Sequence, residues 1–327
     1  MVNYGWVVDK PGGPFRMTEL AWPVLQSNQV LVRIRASGVN PLDTKIHKAA
    51  AEHARQPLPA ILGIDMAGTV EEVSPTVAAF KPGDQVYGMA GGVGGRQGTL
   101  AERIVVDSDL LAHKPKNFSM RQAAVLPLSV ITAWEGLVDH ANVRQGQTVL
   151  IHAGAGGVGH IAIQIARAFG AEVFATVSPQ KAEIVQQLGA TPIDYTSLTV
   201  DDYIAKFTLG AGFDIIFDTV GGATLDASFR AARLYTGHVV SILGWGTHSL
   251  APLSFRAATY SGVFTLLPLL SGQGLARHGE ILRRAAELAE EGKLTPLLNP
   301  QRFSSSEIEA AHAAVTSGVP GKIVIEF

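Results

Sequence analysis

Gly154, Gly156 and Gly159 stand in the spacing Gly-x-Gly-x-x-Gly within the run Ala153-Gly154-Ala155-Gly156-Gly157-Val158-Gly159. That spacing suits a pyrophosphate. It allows a tight turn, close approach of the backbone to the phosphates, and close packing of a following helix on a preceding strand. The positive end of that helix then faces the negative charge. Taken alone, the pattern also fits a flexible glycine-rich turn, so its neighbours decide. Before it, Thr148-Val149-Leu150-Ile151-His152 is an apolar run of the kind a buried parallel strand uses. After it, His160 to Phe169 puts Ile161, Ile165 and Ala168 on one helical face, with Gly170 at the C-terminal cap. The spacing predicts a strand, loop and helix that bind a dinucleotide, with Gly154, Ala155, Gly156, Gly157, Val158 and Gly159 around its phosphates.

The elements that must seat this loop follow from the rest of the chain. At 327 residues, two domains are the expectation. Hydrophobic residues make up 47% and charged residues 17%, a globular balance. A net charge of −2 offers no basic surface for nucleic acid or an anionic membrane. With no cysteine, disulfides, thiolate metal sites and redox dithiols are excluded. The start MVNYGWVVDK lacks a basic region followed by an apolar core, and the apolar stretch Val263 to Leu270 is too short to span a bilayer and contains Pro268. A cytoplasmic enzyme is expected.

Up to about Val125 the pattern is short strands broken by Gly and Pro, among them Val30–Ala36, Ala67–Val73, Gln85–Gly88 and Ala101–Val106, which argues for a barrel-like β unit. Beyond it, strands and helices alternate. Strands are expected at Glu172–Val177, ending at Tyr195, at Phe213–Asp218 and at His238–Leu243, with helices at Gln180–Leu188 and Ala223–Leu234. Such alternation means a doubly wound parallel sheet with ligands at the carboxyl ends of its strands. A helical stretch from Ala123 to Asn142 is expected to break at Leu126-Pro127. Val263-Phe264-Thr265-Leu266 is a candidate sixth strand, Arg277–Glu291 an amphipathic helix, and Ser304 to Glu307 the capped start of a last helix before a final strand, Gly321–Phe327.

The stretches SGVNPLDTKIH, PAILGIDMAGTVEEV, FKPGDQVYG, GTLAERIVV, LPLSVITAWEGL, VLIHAGAGGVG, DTVGG, VSILG and GKIVIEF run through nearly the whole chain. Together they resemble the medium-chain dehydrogenase/reductase superfamily, and within it the zinc-free, zeta-crystallin-like quinone oxidoreductases. The resemblance implies an α/β fold: a Rossmann doubly wound parallel sheet over 126–267 plus a GroES-like β-barrel domain over 1–125, completed by 268–327. It also implies an active cleft where the domains meet. The apolar Val263–Leu266 edge suits pairing across a homodimer through the Rossmann sheet, which is the expected assembly.

NAD-binding sheets of this kind end their second strand in an acid that holds the ribose hydroxyls. Here Ala175-Thr176-Val177 runs into Ser178-Pro179-Gln180-Lys181 without a carboxylate. A hydroxyl and an ammonium suit a 2′-phosphate, and the resemblance adds Tyr195 to the same phosphate. As ordinary residues, Ser178 would be a helix N-cap and Lys181 a solvated lysine, although a lysine in a first turn opposes the helix dipole. NADPH is the expected cofactor. By position, the resemblance implies further contacts from Thr132, from Val220 and Gly221, and from Ser241, Ile242 and Leu243, with Phe264 and Lys322 as weaker candidates.

Zinc-dependent relatives place a cysteine where this chain has Asn40 and a His-Glu pair where it has Ile64-Asp65; neither Asn40 nor Ile64 is a normal zinc ligand. Without a Lewis acid, the acceptor must need little activation, and quinones and conjugated enones qualify because their negative charge is delocalised. The leading expectation is hydride transfer from NADPH to a quinone. The alternatives are an enone or enoyl-thioester reductase and a non-catalytic NADPH-binding protein. Asn40 is the first candidate for a polar contact to substrate or nicotinamide, with Asp43 fixing its loop, although Asn-Pro followed by Asp is also an ordinary Asx-type turn. Where many relatives carry a tyrosine this chain has Lys45, so Lys45, His47, His53 or solvent is left to supply the proton. The segment from Lys45 to Pro57 is the expected selectivity element.

Overall fold

A computed structural model of the chain describes residues 2–327. Its strands, in chain order, begin with β1 (Tyr4–Val8), β2 (Arg16–Glu19), β3 (Gln29–Val39), β4 (Ala60–Ile61), β5 (Asp65–Val73), β6 (Gln85–Met89), β7 (Arg103–Asp107) and β8 (Leu111–His113). Then come β9 (Thr148–Ile151), β10 (Glu172–Val177), β11 (Thr191–Asp194), β12 (Ile215–Asp218), β13 (His238–Ser241) and β14 (Thr259–Gly262), and finally β15 (Phe303–Ser304) and β16 (Ile323–Glu326). The chain divides into two compact units. One holds the residues up to Leu128 with Leu266–Gly292 and Pro296–Phe327; the other holds Ser129–Thr265 with Lys293–Thr295.

The first unit is built on β3. Its inward residues alternate with the outward Arg33 and Arg35, and it lies between β5 and β16 in a sheet ordered β15-β16-β3-β5-β6-β8, with β7 also paired to β3. β16 runs antiparallel to β3, with Ile323 opposite Val39 and Glu326 opposite Ala36. Extending that register by one residue sets Lys322 beside Asn40, the residue that precedes the helix Pro41–His47. A separate sheet β2-β1-β4 completes the unit.

The second unit is a parallel sheet ordered β11-β10-β9-β12-β13-β14. The order reverses beside β9, so the glycine loop that follows β9 lies at the switch point where such sheets bind ligands. The continuous apolarity of β9 and β12 is explained by burial on both faces. Leu150, Phe174, Phe213, Ile216, Phe229 and Val239 form the core on one side of the sheet. Each such side chain is worth ~1.5–3 kcal/mol on burial.

Several expected elements are corrected. The sixth strand is Thr259–Gly262, with Val263 to Leu266 just beyond it; pairing with β13 selects the edge, and Val263 and Leu266 bury their apolar side chains as loop residues. The helical stretch does break at Leu126-Pro127 as expected, but it starts at Met120, running Met120–Ala124 and Pro127–Trp134, and the second piece continues as a π-helix, Glu135–His140. Within it, only a glycine fits at 136, since a Cβ there would lie 2.3 Å from the ring of Phe217. The last helix spans Ile308–Thr316 with Glu307 as its cap, because the Glu307 carboxylate accepts from Ser304 N and Oγ in the turn ahead of the helix. Among the described residues, no helix is long and apolar enough to cross a membrane.

Candidate active site

In the parallel unit, the three glycines have distinct surroundings. A Cβ on Gly154 would lie 2.6 Å from Ala175 Cβ, and one on Gly159 would lie 2.2 Å from Ala153 O, so both are required by the packing of the turn. A Cβ on Gly156 would meet nothing nearer than Ala153 O at 3.0 Å. That contact is tight but is the mildest of the three, so protein packing constrains Gly156 less than Gly154 or Gly159. The turn is held from behind. Ala153 N donates to Thr176 Oγ1 at 3.1 Å and Gly154 N to Thr176 O at 3.0 Å. His152 bonds Thr176 Oγ1 through Nδ1 and Ser228 Oγ through Nε2, each at 3.1 Å. Burial pushes the His152 pKa down to about 4, outweighing the pull of Asp218.

At the end of β10 the chain has no acid. Val177 pairs with Asp194 across β10 and β11, so Ser178 and Tyr195, one residue further on, leave the same end of neighbouring strands. Ser178 begins a 3-10 turn, but its side chain makes no cap bond, which removes the ordinary N-cap explanation for it. Tyr195 is 59% exposed. The nearby Asp194 carboxylate is turned onto its own loop, accepting from Thr196 N and Oγ1 and from Ser197 Oγ, and those bonds hold its pKa below the usual range.

The other expected contacts fall into two groups. Asp218, fully buried at the end of β12, accepts from Val220 N and Gly221 N at 3.0 Å and from Ser241 Oγ at 2.7 Å. Ser241 Oγ in turn accepts from Leu243 N at 3.1 Å. One carboxylate therefore sets both loops, Val220–Gly221 and Ser241–Ile242–Leu243, and the Ser241 side chain acts on the loop. Thr132 is buried, with Oγ1 3.1 Å from Thr265 Oγ1, and Thr265 donates to Glu135 Oε2 at 2.9 Å. Phe264, beside Thr265, keeps 36% of its surface.

In the first unit, Asn40, Asp43, Asp65 and Lys322 form one buried cluster. Lys322 Nζ donates to Asn40 Oδ1, and Asn40 Nδ2 donates to Asp65 Oδ2 at 2.9 Å. Asp65 Oδ1 accepts from Leu128 N at 3.0 Å, and Asp43 Oδ2 accepts from Asn40 N at 2.7 Å. Asp43 Oδ1 is buried with no donor opposite it. Burial raises Asp43 to about 7 and Asp65 to about 6, against the attraction of Lys322, while burial lowers the lysine. The bonds of Asp65 and Lys322 to Asn40 escaped the sequence reading. The only sequence signal for them is that Asp65 follows Ile64 at the position of the zinc relatives' His-Glu pair.

These residues do not fit a zinc ion. The Asn40 oxygen is already taken by an ammonium, Ile64 is an apolar core residue, and among the described residues no group of three or more His, Asp or Glu could hold a metal. The proposed proton donors lie elsewhere on the same segment. Lys45 is exposed on its helix, and His47 bonds Gly13 O at 2.7 Å and stacks on Phe15.

Residues 26–116 match the family described as alcohol dehydrogenase GroES-like domain, and 157–269 match the zinc-binding dehydrogenase family. The 2-methylene-furan-3-one reductase of Solanum lycopersicum is 35% identical over 94% of this chain and 74% of its own. The NADPH-dependent alkenal/one oxidoreductase of Arabidopsis thaliana is 33% identical over 98% and 78%. A polyketide synthase system protein, NorB of Streptomyces orinoci, is 37% identical over 84% of this chain, which spans only 12% of that protein. Among solved structures, an alcohol dehydrogenase superfamily protein from Novosphingobium aromaticivorans is 57% identical, with TM-score 0.97 and 99% of both chains covered. The CurK enoyl reductase (28% identical, TM-score 0.85, 99% of each chain) and the quinone oxidoreductase from Coxiella burnetii (28%, 0.81, 100% of each) are also similar.

Proposed function

The chain belongs to the medium-chain dehydrogenase/reductase superfamily, and on that premise we propose that it is a zinc-independent, NADPH-dependent reductase of conjugated carbon–carbon double bonds in enones and alkenals. The observation that carries this reading is the Lys322–Asn40–Asp65 cluster, which puts an amide, held by Lys322, where zinc relatives have a cysteine. Such a site has hydrogen-bond donors for an enolate oxygen, and no Lewis acid for an alcohol. The names of the tomato and Arabidopsis relatives favour the enone over the quinone. A quinone remains the second reading, supported by the Coxiella structure.

When bound, NADPH supplies the hydride. The glycine turn, fixed by Thr176 and His152, cradles its pyrophosphate, and Ser178, Lys181 and Tyr195 bind the 2′-phosphate. Thr132 and the two loops set by Asp218 border the rest of the cofactor. In the other unit, Asp65 accepts from one of the two Asn40 amide N–H groups, and the second is the donor for the acceptor oxygen. Lys322 holds the Asn40 amide by its oxygen, and Asp43 keeps Asn40 at the helix start. The test is NADPH oxidation by the purified chain with methyl vinyl ketone, benzylideneacetone and p-benzoquinone, with product analysis for loss of the double bond. Enone turnover with higher kcat/KM than quinone is expected. A quinone preference would install the second reading, and tight NADPH binding without any turnover would leave a binding protein.

A further inference from the structure

The carboxyl end of the parallel sheet carries an aromatic pair, of which Phe264 is a weaker cofactor candidate and Trp245 has no part among the cofactor contacts. β13 and β14 run parallel with Ser241 opposite Gly262, and the segments leaving their ends carry Trp245 and Phe264. The two rings meet edge to face, with centroids 6.3 Å apart and planes at 88°. Trp245 keeps 54% of its surface and Phe264 36%, so the pair forms an open right-angled corner. Both residues are held in place. His248 bonds the Trp245 carbonyl through Nε2 at 3.1 Å and Asp226 through Nδ1 at 2.8 Å, and its ring packs edge-on against Phe229. Phe264 precedes Thr265, which is bonded to Thr132 and Glu135. Fixed aromatic surface at the ligand end of a doubly wound sheet is what a flat ligand group requires.

We propose that Trp245 and Phe264 form the wall that receives the planar part of the acceptor, stacking on one ring and meeting the edge of the other. The wall selects enones conjugated to an aromatic ring over short aliphatic ones. This rests on the reductase reading, and its test separates the two. With the full chain and NADPH, Trp245→Ala lowers kcat/KM for benzylideneacetone about tenfold and leaves methyl vinyl ketone within about twofold, as the loss of one aromatic contact predicts, while Trp245→Phe recovers most of the difference. Benzylacetone, the saturated product, cannot be reduced. Its Kd for the NADP⁺-loaded protein, measured by calorimetry, weakens about tenfold in Trp245→Ala for the same reason. An unchanged NADPH affinity shows that the variant is folded.

Equal losses on both enones, or an unchanged benzylacetone Kd, overturn the proposal. So does a change in sedimentation with selectivity intact, which would give the pair to a contact between copies of the chain. If the wild-type protein reduces no enone yet benzylacetone binding still depends on Trp245, the reductase reading fails and the wall stands.

Discussion

Lys181 and Asp65 are single side chains whose replacement separates cofactor recognition from stability. A charge-assisted contact to phosphate is worth ~1.5–3 kcal/mol, so Lys181→Ala should raise the KM for NADPH roughly tenfold or more. NADH lacks the 2′-phosphate, and its KM should stay within a factor of about two; a parallel rise for both cofactors would remove Lys181 from the phosphate site. Asp65→Ala acts differently, because it leaves the buried Asn40 Nδ2 and Leu128 N without their acceptor and removes one of the two carboxylates that attract Lys322. Each orphaned buried donor costs ~1–3 kcal/mol, to be read as a lower urea midpoint at pH 8. Adding Lys322→Met should recover part of that loss, and strictly additive effects would mean the two groups are not coupled. The residue types at 40, 43, 178 and 181 were legible as candidates. The link from Asn40 to Lys322 was not, since 282 residues separate them and only the β3–β16 register joins them.

The strand–turn–helix around the glycines was the element most legible in the sequence, because apolar run, glycine spacing and helix cap all agree there. Its neighbours show where local pattern fails. Val263–Leu266 has the better strand composition, yet the edge strand is Thr259–Gly262, because pairing with β13 decides an edge and propensity does not. The π-helix at Glu135–His140 packs Gly136 against Phe217, a long-range contact that no local pattern encodes. The surroundings of the glycines give a prediction for the turn itself. Gly156→Ala needs only a shift of a few tenths of an ångström from the Ala153 carbonyl, so its thermal midpoint should fall by no more than about 4 °C while NADPH affinity drops about tenfold or more. Gly159→Ala drives a Cβ into the Ala153 carbonyl and should lose ~1–3 kcal/mol of stability as well. Equal effects of the two substitutions on Tm and on Kd would contradict these separate roles.

At the scale of the whole chain, alternation of pattern foretold a β-rich unit and a parallel one, but the division of buried titratable groups between them needed coordinates. In the parallel unit, burial lowers His152 to about 4 from 6.5 and also lowers His238. The unfolded chain then binds the proton more readily, so this stability is full above about pH 6.5 and is lost as pH falls toward 4. His248 is shifted upward by Asp226, but it is solvent-screened and counts for little. In the other unit, His312 is likewise lowered to about 4, whereas Asp43 and Asp65 are raised from 3.8 to about 7 and about 6. Those carboxyls work in the opposite sense: the stability they contribute is full below about pH 4 and lost as pH rises through 6 to 7. Between pH 7 and 5 they therefore offset His312, and nothing comparable offsets His152. Acidification over that range should weaken hydrogen-exchange protection in Ser129–Thr265 before it does so in β3, β5 and β16, as read by mass spectrometry of peptides from each unit. Asp43→Asn should remove part of the offset and narrow the gap between the units. Equal loss in both units, or earlier loss in β3 and β16, would show that the buried carboxyls do not titrate in this range.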